Sequence, residues 1–379
     1  MRNERAVLVF IPGSRWENVS GTDHHLAVAL AELVPVLWVD PPLPFHHALR
    51  SPDRPQGRLE LSEVADGVTR LRSVSLPGFT RRLVMPLTSR LLSADIRTGL
   101  ARLGVEARAT LLSSPVSRFP PGLAGPTMLY VTDDWSAGAG MMRLAPALVE
   151  KTLQANLAAA RHTAAVSPAL AALVDSRMKA NRHSTAVLPN GCAVTALQEP
   201  APVRTPTAAL VGQLNERLDM DLLEALDEAD VPLLVIGPRT DRDPEVRRRL
   251  DTFLASDNVS WLGRVPLPET QEHLATAGVG LTPYRDNAFN RASFPLKTLD
   301  YLAAGLPVVA TDLPAVRWLE TDLVTVCDGT ENFVRQVQQQ LAAPPDTAAE
   351  ADRRTFAAGH SWHERARRLM SIIEGSGKP

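Results

Sequence analysis

Short apolar runs alternate with stretches of helical length along most of this chain, and that alternation constrains the fold more than any single motif. In the first half the runs are AVLVF (6–10), PVLWVD (35–40), ATLLS (109–113), TMLYVT (127–132), TAAVS (163–167) and TAVLP (185–189). In the second half they are AALVG (208–212), PLLVIG (232–237), VSWLG (259–263), VGLTP (279–283), PVVAT (307–311) and LVTVC (323–327). Intervening segments such as 22–33, 143–160 and 168–179 have the length and apolar spacing of helices. Strands that alternate with helices pair in parallel, because each crossover helix covers a face of the sheet. Both faces are then buried, which is why the strands read as continuous apolar runs. Two such series in 379 residues exceed one ordinary core, so two doubly wound α/β domains are expected.

Between the series lies NGCAVTALQEPAPVRTPT (190–207), polar, proline-containing and without period, which reads as a linker. The expected organisation is a first Rossmann-like domain over 1–190, a linker over 191–206 and a second Rossmann-like domain over 207–358. A C-terminal helix within 359–379, carried by SWHERARRLMSII (361–373), is expected to pack back on the first domain. RLELSEVADGVTRLRS (58–73) predicts a strand, an Asp66-Gly67 turn and a second strand. Doubly wound domains that face one another place ligands in a cleft at the carboxyl ends of their strands.

Several function classes are disfavoured. The formal net charge of −2 gives no basic surplus for nucleic acid. Cys192 and Cys327 stand far apart, which argues against a disulfide scaffold or a zinc site and fits a reducing cytosol. The opening MRNERAVLVFIPGS lacks the long apolar region of a signal peptide, and no apolar run reaches the roughly 18 residues of a membrane span. A cytoplasmic protein is expected. FTRRLVMPLTSRLL (79–92) mixes Arg81, Arg82 and Arg90 with apolar residues, so it is either a solvated helix face or a peripheral contact at the inner face of the membrane. No G-x-S-x-G, P-loop or H-E-x-x-H pattern offers other chemistry.

The densest stretch is FPLKTLDYLAAGLPVVATDLP (294–314). If Ser293 caps a helix over 294–304, Pro295 falls in its first turn, where a missing N–H costs little. Lys297 then sits near the positive end of the helix dipole, an odd place for structure but a useful one for phosphate. Asp300 lies about 4.5 Å further along the axis, at about 1.5 Å per residue. There it can accept hydrogen bonds from a ribose diol while Lys297 neutralises phosphate. The plain alternative is an i,i+3 ion pair worth roughly 0.2–0.5 kcal/mol. In PGSRWENVSGTDHHL, Gly21 permits close approach of a ligand, Thr22 or Asp23 can cap the helix, and His24 and His25 fall in its first turn. Either histidine can touch a ligand or serve structure.

SFPLKTLDYLAAGLPVVATDLPAV resembles the nucleotide-sugar signature of the retaining glycosyltransferases of family 4, whose GT-B architecture joins two Rossmann-like domains. SGTDHHLAVALAELVPVLWVDPP, LYVTDDWSAG, AAVSPAL, VLPNGCAV, LVGQLNERLDMDLLEAL and VSWLGRVPLPE agree with a bacterial cell-surface polysaccharide subgroup in order and spacing. The likeness covers nearly the whole chain. It implies transfer of a hexose-type sugar, with retention, from a UDP- or GDP-linked donor to a saccharide or lipid-linked acceptor. No metal and no further cofactor are implied.

By this resemblance Asp300 takes the ribose position and Lys297 a phosphate position, and Gly212 ends the first donor-domain strand. Arg264 and Val265 match backbone contacts to the base, one of Asn287, Asn290 or Arg291 is expected to supply polar contacts to the transferred sugar, and Ser293 is a further donor-binding candidate. The chain departs from the family pattern at Ala292, where a second acid is usual, at Gln213, where an arginine is usual, and at Leu218, which falls near the expected lysine. Arg217 is the substitute cation. Asp133 and Asp134 take the place of a rim histidine. Two adjacent acids without a third ligand make a poor magnesium cage, so positioning of an acceptor hydroxyl, general-base help or helix capping are the roles weighed for them. Glu150 is a further family-like acid, read as structural or at the cleft edge. A nucleotide-sugar epimerase of the same architecture and a non-catalytic partner remain alternatives.

Overall fold

The structure is a computed structural model that describes residues 6–17, 21–45, 55, 57–77, 84–140, 142–178, 184–193, 203–294 and 296–375. Arg81, Arg82 and Pro295 lie outside these residues, as does 194–202 of the expected linker. The chain forms two compact units, Met1–Asn190 with Trp362–Pro379, and Gly191–Ser361.

The first unit is built on β1 (Ala6–Pro12), β2 (Val36–Val39), β3 (Leu43–Pro44), β4 (Leu59–Ala65), β5 (Val68–Ser75), β6 (Glu106–Ser113), β7 (Thr127–Val131), β8 (His162–Ala165) and β9 (Ala186–Val187). Their order is β3-β5-β2-β1-β6-β7-β8-β9, with β4 beside β5. The β4–β5 pair is antiparallel, as the Asp66-Gly67 turn predicts, and Gly67 adopts φ 70°. The other pairs are parallel. The covering helices are α1 (Thr22–Ala31), α2 (Met85–Leu103), α3 (Pro146–Ala159) and α4 (Pro168–Arg177). Leu8, Phe10, Trp38 and Tyr130 are buried at the sheet, as continuous apolar strands require. Local chemistry sets the helix ends. Pro168 opens α4 behind Ser167, whose side chain accepts from Leu170 N, and Gly104 closes α2 at φ 66°.

The second unit holds β10 (Ala208–Val211), β11 (Leu233–Ile236), β12 (Val259–Gly263), β13 (Val279–Thr282), β14 (Val308–Thr311) and β15 (Val324–Cys327). All pair in parallel, in the order β12-β11-β10-β13-β14-β15. Its helices are α5 (Met220–Glu228), α6 (Pro244–Leu254), α7 (Leu267–Thr276), α8 (Ala288–Ala292), α9 (Leu296–Ala303), α10 (Pro314–Arg317), α11 (Thr330–Ala342) and α12 (Thr347–Ala358). The chain winds outward from β10 to β12 and returns to β13 on the other side. The order therefore reverses between β10 and β13, and in an open α/β sheet the ligand crevice lies beyond the strand ends at that reversal. The apolar run VSWLG lies at one edge of the sheet, and its Trp261 and Leu262 are exposed.

The last helix, α13 (Trp362–Ile373), packs on α1 within the first unit. Ala366 and Leu369 are fully buried, and His363 Nδ1 lies 2.8 Å from Glu32 Oε2. Among the described residues no helix is long and apolar enough to cross a membrane.

Candidate functional site

In the first unit the chemistry gathers where β1, β6 and β7 end beside the first turn of α1. Gly21 is the N-cap residue and supplies no side-chain cap. Neither Thr22 nor Asp23 caps the helix, contrary to the local sequence. Thr22 Oγ1 donates to Asn190 Oδ1 (2.9 Å), while Asp23 accepts from Ser113 Oγ (2.7 Å) and Gly13 N (3.2 Å). For Asp23 the long-range partners win because Ser113 and Gly13, at the ends of β6 and β1, supply donors. Burial pushes the Asp23 carboxyl up to about 6, against the pull of Ser113 and Gly13, and the charge of Asp133 adds to the rise. Asp23 and Asp133 are thus electrostatic neighbours.

His24 lies against Trp16, with ring centroids 4.2 Å apart, and burial lowers its proton affinity. Its Nδ1 is buried without a hydrogen-bond partner among the described residues. His25 stacks on Trp362 at 5.5 Å and 16°. Asp134 is buried, and its Oδ1 accepts from Ser136 N (3.2 Å) and Ala137 N (3.1 Å), so this carboxylate holds the turn after β7. Glu150 is occupied by Ser136 Oγ, Gln154 and Arg177. Burial alone would raise its carboxyl, but these partners hold it below its ordinary range. Among the described residues no group of three or more His, Cys, Asp or Glu side chains is placed to hold a metal ion.

In the second unit α9 buries Thr298, Leu299, Tyr301, Leu302 and Ala303 and stops at Gly305, whose φ is 78°. Leu296 is only half-buried. Lys297 and Asp300 share the other side, with Nζ and Oδ2 2.8 Å apart and side chains 25% and 22% exposed. Burial lowers the lysine's proton affinity, but the Asp300 charge and hydrogen bond outweigh it and leave the ammonium above its ordinary range. Tyr301, fully buried, anchors the helix: Val211 N donates to its hydroxyl at 2.8 Å. Its ring fills the space over Gly280, where a Cβ would come within 2.3 Å of it.

Arg217, in the loop after β10, donates from Nε to Asn290 Oδ1 at 2.9 Å. Its guanidinium lies over the rings of Tyr284 (5.1 Å) and Phe289 (5.0 Å). Buried Asn290 completes the link by donating to the carbonyls of Arg217 (3.0 Å) and Arg285 (2.9 Å). Tyr284 also acts on the Lys297 charge, which connects the two cations. Leu218 is core, 2% exposed, and Gln213 accepts from Thr240 Oγ1.

Gly212 and Gly237 end adjacent strands at φ 148° and 145°, and a Cβ at Gly237 would fall 1.7 Å from Gly212 O. That approach demands glycine. Arg264, exposed, and Val265, half-buried, follow the end of β12. The expectation that Ser293 caps 294–304 needs correction. It stands at the C-cap of α8, where its N–H (3.0 Å) and its hydroxyl (2.9 Å) both donate to Phe289 O. Ala292 is buried beside it.

Residues 206–343 match the family described as Glycosyl transferases group 1. The fold is GT-B, and the family match falls within its second unit. A putative teichuronic acid biosynthesis glycosyltransferase of Bacillus subtilis is 26% identical over 212 residues, 52% of this chain and 52% of that protein. The match therefore spans about half the length of the curated relative. Sucrose-phosphate synthase of Thermosynechococcus elongatus superposes with a TM-score of 0.73 at 16% identity, over 98% of this chain and 99% of that one. An E. coli structure described as trehalose-6-phosphate bound with UDP-2-fluoro glucose gives 0.68 at 13% identity, over 97% and 99%.

Within the matched region, Arg217 lies over Tyr284 and bonds Asn290, Tyr284 acts on Lys297, which pairs with Asp300, and Gly212 lies one residue beyond the Val211 N–H that Tyr301 accepts. Arg264 and Val265 stand two strands away from β10, at the sheet edge. Sequence reasoning missed Tyr284, Tyr301 and the buried acid of Asp23. An aromatic two residues past a strand end (Tyr284) and one inside the signature helix (Tyr301) are the signals that could have found the first two.

Proposed function

We propose that this protein is a retaining glycosyltransferase. It moves a hexose-type sugar from a nucleoside-diphosphate sugar to a saccharide or lipid-linked saccharide acceptor in polysaccharide or glycoconjugate synthesis. The observation that carries the proposal is the half-buried Lys297–Asp300 pair on a helix pinned to the strand reversal of a group 1 domain, with Arg217 close by. Lys297 and Arg217 neutralise the diphosphate, and Asp300 exchanges its lysine contact for the ribose hydroxyls. Gly212 lets the donor approach backbone, and backbone groups at Arg264 and Val265 meet the base. Asn290 orients Arg217, and Ser293 stands beside the sugar. UDP is the favoured carrier, since a solved GT-B neighbour is described with a UDP-sugar.

In the transfer the acceptor oxygen bonds to the anomeric carbon as the bond from that carbon to the diphosphate oxygen breaks. The electron pair leaves with the diphosphate, whose oxygen takes the acceptor's proton. On the acceptor side Gly21, His24, His25, Asp133 and Asp134 are the candidates. Asp134 acts by shaping the turn, and Asp133 by accepting the acceptor hydroxyl. No resident metal is invoked. The place of action proposed is the cytoplasm, with a peripheral contact at the inner membrane face through the region of exposed Leu87 and Arg90.

The test is a thermal-shift screen with UDP, GDP, ADP and dTDP sugars, followed by turnover of the donor that binds. Stabilisation by one donor class and loss of turnover in Lys297→Ala are expected. No shift with any nucleoside diphosphate defeats the proposal.

A further inference from the structure

The group 1 domain builds one device twice on neighbouring strands. After β13 comes DNAFNR (286–291) and after β14 comes DLPAVR (312–317), each with an aspartate, then an arginine five residues on within a short helix. In both, the carboxylate grips its arginine as a fork. Arg291 donates from Nε and Nη2 to Asp286, with Nη2–Oδ2 at 2.7 Å. Arg317 donates from Nε to Asp312 Oδ1 at 2.6 Å and from Nη2 to Oδ2. Arg317 holds the Asp312 carboxyl below its ordinary range while the Asp286 charge pushes the other way, so the two forks are electrostatic neighbours.

Both forks are well exposed, with arginine side chains 61% and 65% accessible. Such pairs contribute little to stability, so stability does not account for the repeat. What the forks do is line a cavity of about 350 Å3 together with Pro314 and Trp318.

The lining is specific in chemistry. Each fork uses Nε and Nη2, which leaves Nη1 of both guanidiniums for another acceptor. Each carboxylate oxygen keeps a lone pair for a hydroxyl. Half-buried Trp318 and Pro314 add an apolar wall and an indole N–H. The charges balance, so an anion gains no net attraction. A neutral ring with hydroxyls at its rim and C–H groups on its face matches every wall, and the volume lies in the lower part of the roughly 300–1,000 Å3 range of small-molecule sites. The cavity also lies across α8 from the proposed donor cations, because Asn290 reaches Arg217 while Arg291, the next residue, lines the cavity.

We propose that this cavity is a saccharide subsite that holds a neutral sugar ring of the acceptor chain, a reading that rests on the transferase function above. The forks orient ring hydroxyls and Trp318 packs the ring face. The acceptor is thereby held by the donor domain as well as by residues elsewhere in the chain.

The experiment is a glycan array probed with the full chain in the absence of any nucleotide sugar, then calorimetry of the strongest oligosaccharide. Trp318→Ala and the double variant Asp286→Asn with Asp312→Asn are expected to weaken that oligosaccharide about tenfold or more. Affinity for the nucleoside diphosphate should stay within about twofold of wild type. Arg317→Lys, an exposed change that keeps the charge and loses the fork, gives the same answer if the tryptophan variant fails to fold. Absence of any bound glycan, unchanged oligosaccharide affinity in the variants, or binding that requires the nucleotide sugar overturns the subsite. Failure of the transferase reading shows separately, as absence of nucleoside diphosphate binding.

Discussion

Asp300→Ala separates a structural ion pair from a donor contact, because the two roles differ in size. The Lys297–Asp300 pair is an i,i+3 contact at 2.8 Å with both side chains about a quarter exposed. Such a pair contributes about 0.2–1 kcal/mol. At roughly 2–4 °C per kcal/mol in a domain of this size, its loss should lower the melting temperature by no more than about 4 °C. As a ribose ligand the same carboxylate accepts charge-assisted hydrogen bonds worth about 1.5–3 kcal/mol each. Losing even one corresponds to about 10- to 100-fold in affinity. Calorimetry with the nucleoside diphosphate that binds should show that loss, and the free nucleoside should lose as much, since the diol is common to both. Lys297→Ala should weaken the diphosphate and leave the nucleoside unaffected. If Asp300→Ala keeps its dissociation constant within about twofold while its melting temperature falls, the pair only clamps the helix and the donor assignment is wrong.

Three further outcomes follow from the packing. Tyr301→Phe leaves Val211 N–H, which is buried, without its acceptor. It should cost about 1–3 kcal/mol, read as a lower melting temperature, and an unchanged one refutes the anchoring role. Gly237→Ala places a Cβ 1.7 Å from Gly212 O at φ 145°, so folded yield and donor binding should both collapse; a variant with wild-type stability contradicts the strand-end contact. Asp23, pushed up to about 6, binds its proton more tightly folded than unfolded. Its contribution to stability therefore falls as pH rises from about 4 to about 6 and stays low above that, by up to about 3 kcal/mol. Asp23→Asn should flatten that part of the urea-midpoint profile and gain most over wild type near pH 7.5; an unchanged slope counts against the buried carboxylate.

The parallel architecture was legible because buried crossover strands cannot hide their apolar runs. The hairpin was legible because Gly67 takes the positive φ that its turn needs. The edge position of β12 was not, since VSWLG is as apolar as its neighbours and strand order depends on helices elsewhere. At the site, Lys297 and Asp300 were marked by short-range signals and by resemblance, whereas the Arg217–Asn290 contact joins residues 73 apart and was not legible. Asp23 did not, because a first-turn acid reads as a cap until Ser113, 90 residues later, competes for it. Leu218 shows the reverse: a position where the resemblance leads one to look for a lysine is core, and its neighbour Arg217 carries the charge.

The strand reversal explains why these groups meet where they do. Ala208 N and Gly212 N donate toward β11, so Ala209 and Val211 face β13. Pairing with β13 stops at Ala209 and Gly280, after which the two strands part. The parting that opens a crevice therefore frees Val211 N–H, and a buried donor needs an acceptor. Tyr301 supplies it, and Gly280 is what leaves room for the ring. A helix tied down at this residue begins beside the crevice, so the turn that leads into Tyr301 lies next to it. Lys297 opens that turn and Asp300 closes it, and a Phe at 301 would loosen the helix they stand on without touching either.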